Sequence, residues 1–482
     1  MMSKITILLS VAASFSCSST TSYNEQILPA YEAYRDGDVA AAADISSAIY
    51  DEHYESNSRV VFALENGTML RDAGYYQQAF DVLEQAEATL KIGYDQRSAL
   101  SGAALAEGAA SLLVNQKSLA YTGTISDRVL LNTYKALAMI ELEELDHALV
   151  EARRIDQAQQ RAEELFREEY EAIKAESNGK GYNLDVNKLY RNEEFVEQNR
   201  DLFKATGVDD FQNPFATFVI GLLRRIAPNN GEDPTYDFQW LHDRLPSNIY
   251  VEQELEAIIK REPVDGTVYV IFENGRGPSL VEKKIRIPTG IFRHYSSDDS
   301  FRVYTEEYLA LPRFSPGRKA ANALQIVAGP ANRSTTMMVA DMNRIALHEF
   351  NARYPGVLMR EMASAVIKGV AFGIVQGAAE NMMDSDDDDD VIFGLLLGIG
   401  SIITKDAIAQ ADDRAWKSIA CNYQIARFKR GKSNTLQLNL VGGNAKTTIE
   451  IPASPAVVVI VRSVNSSHIN ARAYGFGEPT MN

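Results

Sequence analysis

Between Ala63 and Leu90 the smallest residues fall where two antiparallel helices must touch, and this spacing constrains the fold more than any other feature. Gly74 stands at a turn, with Gly67 before it and Tyr76, Ala79, Leu83 and Ala86 following at helical steps. Gly67 and Ala79 allow close helix contact, and Gly74 permits the reversal. A weaker copy places Gly37, Val39 and Ala42 like Gly74, Tyr76 and Ala79, with the two turn glycines 37 residues apart. A third copy fits Ala136, Leu145, Ala148 and Ala152, with Glu143 where the turn glycine belongs. From Tyr23 to about Arg225 apolar residues recur at i, i+3, i+4 and i+7, which is helical spacing.

This pattern resembles the tetratricopeptide repeat, whose period is about 34 residues, and three units are about the minimum for a stacked core. Arg97 to Tyr121 reads as a further buried helix. A long helix from about Asp127 continues through Ala162 into the charged stretch Glu163–Glu169, where i,i+4 pairs suit a solvated extension. Residues 177–181 form a linker, Asn213-Pro214 opens an apolar helix over Phe215–Arg225, and 227–231 closes the helical half.

The second half changes character. Thr267–Phe272 is a strand by its branched and aromatic content, and Leu280–Ile287 a second, joined through Asn274–Pro278 as an expected hairpin. Ala323–Ala328, Thr435–Leu440, Thr447–Ile451 and Ala456–Val461 are further strands. Between them the pattern is helical, giving an expected helical hairpin from about Thr335 to Trp416, interrupted by the acidic run Asp384–Asp390. The expected fold is α+β and mainly α: a repeat solenoid over 23–231, then an α+β domain over 264–475 with an inserted helical hairpin and last strands at 435–461.

The N-terminus reads as an address. A cationic start (Met1–Lys4), an apolar run (Ile5–Ala13) and small residues before Cys17 form a secretory leader over 1–16, with 17–22 as a tether. In bacterial lipoproteins such a cysteine is acylated and becomes the mature N-terminus. The other reading is an ordinary leader cut nearby and an incidental cysteine. Ser18 after Cys17 favours outer-membrane sorting, and the expected location is an outer-membrane lipoprotein facing the periplasm. Cys421 is the only other cysteine, too few for a disulfide framework, so it is expected to be a buried small apolar residue. A net charge of −17 argues against nucleic acid, which favours a basic face.

Chemistry-bearing groups are sparse. Val391–Thr404 spans 14 residues, short of the roughly 20 a membrane helix needs, so a buried hairpin is the better reading, although its glycines would permit close membrane packing. Asp384, Asp386 and Asp388 resemble a calcium loop, but Asp389 and Leu395 occupy the positions that require Gly and Glu. His348-Glu349 starts a zinc-protease-like pattern whose second histidine is absent, residue 352 being Ala. Neither a metal nor a cofactor is expected. Asp412, Arg414 and Trp416 form a candidate partner-recognition cluster, against the plainer reading of a helix end docking on the sheet.

Leu131–Leu137, Val268–Pro278, Ala411–Trp416 and Gln424–Arg427 together resemble a family of uncharacterised bacterial envelope lipoproteins with tetratricopeptide-like helices. The resemblance implies an envelope lipoprotein without established catalysis and supplies no catalytic residues. The expected function is a lipid-anchored periplasmic scaffold whose repeats bind an envelope protein, its lipid held in the bilayer. The alternatives are an enzyme using carboxylates such as Glu273 and Asp412 between the halves, or membrane insertion through the glycine-rich hairpin.

Overall fold

The computed structural model describes residues 22–100, 119–162, 164–168, 191, 193–198, 200, 211–227, 232–286, 308–329, 332–358, 361 and 411–477. Cys17 and its leader, the linker 177–181, the acidic run Asp384–Asp390 and the apolar stretches 365–379 and 391–404 lie outside the described residues. So does most of the helix expected over 97–121.

The N-terminal region is helical and begins with three helix pairs: α1 (Tyr23–Asp36) with α2 (Val39–Glu52), α3 (Arg59–Ala73) with α4 (Tyr76–Leu100), and α5 (Ile125–Glu141) with α6 (Leu145–Gln160). Ser22 caps α1 in a reciprocal box with Glu25. Each pair reverses through a left-handed residue: Gly37 and Gly74 at φ 94°, Glu143 at φ 60°. The helix read from Asp127 through Ala162 is therefore broken at Glu143, and the chain folds back there. A Cβ on Gly67 would lie 2.6 Å from Leu83 Cγ, so the small residue sets how closely α3 and α4 pack. Every residue of α3 from Val60 to Asp72 is buried, as befits a helix covered on all sides.

After the short α7 (Glu193–Gln198), α8 (Pro214–Ile226) opens with the Asn213 side chain accepting from Phe215 N at 3.0 Å and Pro214 at its first position. Two helices not anticipated from the sequence follow beyond residue 231, α9 (Thr235–Arg244) and α10 (Ile249–Ile259).

The strands are β1 (Thr267–Asn274), β2 (Ser279–Arg286), β3 (Tyr308–Ser315), β4 (Ala323–Val327), β5 (Arg333–Thr335), β6 (Met337–Asp341), β7 (Asn422–Lys429), β8 (Thr435–Val441), β9 (Lys446–Glu450), β10 (Ala456–Ser463) and β11 (Asn470–Phe476). A five-stranded sheet has the order β11-β10-β1-β7-β6, with β1 parallel to β10 from Thr267↔Ala456 to Asn274↔Ser463. β1 and β10 are buried throughout, as central strands covered on both faces are. A second sheet, β5-β4-β8-β9, alternates buried and less buried residues along β8 and so packs through one face.

Two expectations are corrected. β1 and β2 do not form a hairpin, because both edges of β1 are taken by β10 and β7; β2 pairs with β3 in a separate two-stranded arm. The stretch read as the start of a helical hairpin at Thr335 instead forms β6, which pairs with β7, and helix α11 begins only at 342 and is described over 342–358. Nor does a helix end at Trp416, since residues 411–420 are irregular. Contacts to other elements replace helical hydrogen bonds there: Lys417 N and Ser418 N donate to Glu65 at 2.8 and 3.1 Å, and Gly277 N donates to Lys417 O at 3.1 Å.

Candidate functional site

The chemistry of the molecule is concentrated where the helical pairs meet the sheet. The C-terminal ends of α1, α3 and α5 carry Tyr34, Arg71, Asp72 and Glu141, and they face Glu273 and Arg462 at the ends of β1 and β10. Arg71 grips Glu273 through Nη1 at 3.0 Å and Nη2 at 2.8 Å, and Glu141 through Nε at 2.6 Å and Nη2 at 3.2 Å. Arg462 donates to Asp72 at 2.9 Å, to the Tyr34 hydroxyl at 2.7 Å and to Ser418 O at 2.9 Å. Tyr34 also donates to Asp72.

Three carboxylates thus share two guanidinium groups in a buried space. Burial pushes the Glu141 carboxyl up to about 8 against the pull of Arg71, with Glu273 and Asp72 adding to the rise. Burial likewise raises Asp72, with Arg462 opposing.

Residues 411–420 thread along the same seam. Arg414 forms a fork on Asp412 with two contacts of 2.7 Å and donates to the carbonyls of Leu119 at 2.8 Å and Asn57 at 3.2 Å. Trp416 Nε1 donates to Thr68 Oγ1 at 2.8 Å, and its ring lies 5.1 Å from that of Tyr134. The three residues singled out from the sequence are therefore brought together, but the surface they engage is the chain's own helical region. Both Trp416 and Arg414 are buried.

Beside this segment lies a cleft of about 230 Å³ between the start of α5, the β2–β3 arm, α11 and residues 412–419. Leu130, Leu280, Phe314, Ala346 and Phe350 supply apolar wall, and Trp416 lines it as well. Its acidic groups are already engaged. Glu349 on α11 accepts from Ile125 N at 2.6 Å and Ser126 N at 3.0 Å, capping α5 from a distant element, and Asp127 accepts from Tyr121 at 2.6 Å and Thr124 N at 2.7 Å. Asp412 lines this cleft whereas Glu273 lies on Arg71, so the two carboxylates proposed for acid–base work do not share a pocket.

His348 packs against Phe211 at 5.3 Å, and no group of three His, Cys, Asp or Glu that could hold a metal ion occurs among the described residues. No helix among them is long and apolar enough to cross a membrane. Cys421 is buried, and burial pushes its thiol up to about 11. Reading the sequence alone missed Arg71, Glu141, Glu65 and Arg462, and it noted Glu349 only beside His348, not as the cap of α5. For Arg71 a signal was available: a charged residue stands on a helix whose neighbours leave no solvated face.

No family model matches the chain, and no curated protein matches it. Among solved structures, a tetratricopeptide repeat protein from Parabacteroides merdae aligns over 49% of this chain and 98% of its own, at 14% identity and a TM-score of 0.14.

Proposed function

We propose that the chain is a lipid-anchored, non-catalytic scaffold of the bacterial envelope, held at the outer membrane through Cys17 and facing the periplasm, which binds a protein partner. The tetratricopeptide-like reading of the three helix pairs and the likeness to envelope lipoproteins belong to this proposal. One observation supports it above others: Arg71, Glu141, Glu273, Asp72, Arg462, Asp412 and Arg414 are held in ion pairs with one another, which ties the helical pairs to the sheet. The inner ends of the helix pairs are filled by the chain's own strands and residues 411–420, so the partner surface must lie elsewhere.

The best-fitting surface is the α9–α10 pair. Tyr236 and Ile259 are 76% and 65% exposed, the most exposed of the large apolar side chains among the described residues. Crosslinking in intact envelopes followed by affinity purification should recover a specific protein from wild type. A Tyr236→Ser, Ile259→Ser chain, present at wild-type abundance, should lose it. Recovery of the same partners by both chains would refute the proposed surface, and recovery of none from wild type would refute the scaffold.

A further inference from the structure

The described chain starts on the rim of the apolar cleft. Tyr23 donates to Ala415 O at 3.1 Å, and Asn24 donates to Leu280 O at 2.9 Å and to Asp413 at 2.8 Å. Leu280 and Ala415 both line the cleft. Cys17 precedes Tyr23 by six residues, a reach of at most about 20 Å for an extended chain. A hydrocarbon carried on Cys17 is thereby within reach of the cleft.

The cleft itself suits hydrocarbon. Its volume of about 230 Å³ exceeds the roughly 150 Å³ of an apolar cavity that stays dry and accepts benzene. Glu349, Asp127 and Asp412 are satisfied by Ser126, Tyr121 and Arg414, so no acidic group on its wall calls for a polar ligand. Leu280, Phe314, Ala346 and Phe350 form its apolar wall, with the Phe314 and Phe350 rings packed 6.0 Å apart.

We infer that this cleft is an acyl-chain site, and that its occupant is a fatty chain of the protein's own acylated Cys17, sheltered there when the lipid is out of the bilayer. The inference rests on the lipid-anchor reading of Cys17. A hydrocarbon chain that is out of the bilayer and in water carries the full cost of apolar exposure. Folding one chain back into the body removes part of that exposure.

The test uses the mature chain produced without leader or lipid, with Trp240→Phe so that Trp416 alone fluoresces. Cys17 is coupled to N-hexadecylmaleimide at pH 7, where the buried Cys421 thiol is held protonated and does not compete. Dibromostearate, a quenching fatty acid, is then titrated into the coupled and uncoupled chains. The uncoupled chain should be quenched with saturation near one equivalent, Ala346→Phe should weaken this at least tenfold, and the coupled chain should resist quenching. Absence of saturable quenching in the uncoupled chain overturns the inference, as does equal quenching of both chains, which would mark a site for external fatty acid. Mass spectrometry of the native N-terminus separates the two levels. A Cys17 without acyl mass removes the anchor and the donor together, whereas failed quenching with acyl mass present removes the inference alone.

Discussion

Replacing Arg71 by Met tests whether the buried cluster joins the helical pairs to the sheet. The guanidinium is fully buried, forms a two-contact fork with Glu273 and another with Glu141, and lies 5.1 Å over the Tyr134 ring. Met retains much of the side-chain volume, so the change chiefly removes charge. Glu141 can stay protonated, because burial already holds its carboxyl up to about 8. Glu273 then bears an unpaired buried charge, and removal of one partner from such a pair costs about 3–5 kcal/mol. Urea unfolding of the unlipidated chain carrying Trp240→Phe, followed by the fluorescence of Trp416 at the same seam, reads this loss directly. The double variant Arg71→Met, Glu273→Gln should be more stable than the single one, since the orphaned charge is gone. A loss below about 1 kcal/mol for Arg71→Met, or a double variant less stable than the single, would refute the reasoning.

Two further outcomes follow from the same geometry. Gly67→Ala should destabilise by about 1–3 kcal/mol through overpacking against Leu83, and Leu83→Ala in the same chain should relieve the clash at the cost of a cavity; thermal melts of the three variants check this. For pH, the Glu141 carboxyl titrates near 4.5 when unfolded and near 8 when folded, so between those values the folded state holds the extra proton. Its contribution is complete below 4.5 and is lost as pH rises toward 8, at up to about 1.4 kcal/mol per pH unit. Unfolding free energies of wild type and Glu141→Gln between pH 5 and 7.5 should therefore converge or cross as pH rises, and parallel curves would contradict the assignment.

How much was legible depends on the distance over which a residue's constraint acts. Gly37 and Gly74 announce their turns because a left-handed residue between two apolar helical patterns is a local requirement, whereas a glutamate at 143 gives no such signal and the helical pattern reads straight through it. Thr267–Phe272 and Ala456–Val461 read as strands from their β-branched content, yet nothing local says that β1 lies parallel to β10, about 190 residues away. The false hairpin between β1 and β2 arose from the same blindness: a good turn at Asn274–Gly275 does not reveal that both edges of β1 are occupied. Trp416 and Arg414 stood out by residue type, but their partners Thr68, Asn57 and Leu119 come from elements far back in the chain. Met337–Ala340 is too short an apolar run for periodicity to separate helix from strand, and pairing with β7 decides it.

The three left-handed turns have a common neighbour. Asn465 donates to Arg35 O beside the first at 2.9 Å, Asn470 to Asp72 O beside the second at 2.6 Å, and Gly475 N to the Glu143 side chain at the third at 3.2 Å. These donors stand five residues apart, in the same order as the turns they meet. A glycine at 143 would supply no acceptor, which accounts for a carboxylate at a strained position. Stacked-hairpin proteins ordinarily gain or lose units freely, each touching only its neighbours. Here the segment ending in β11 acts as a ruler: duplicating one hairpin would push the next turn off its mark, so this array is counted, and its number of units is set by a strand more than 300 residues further along the chain.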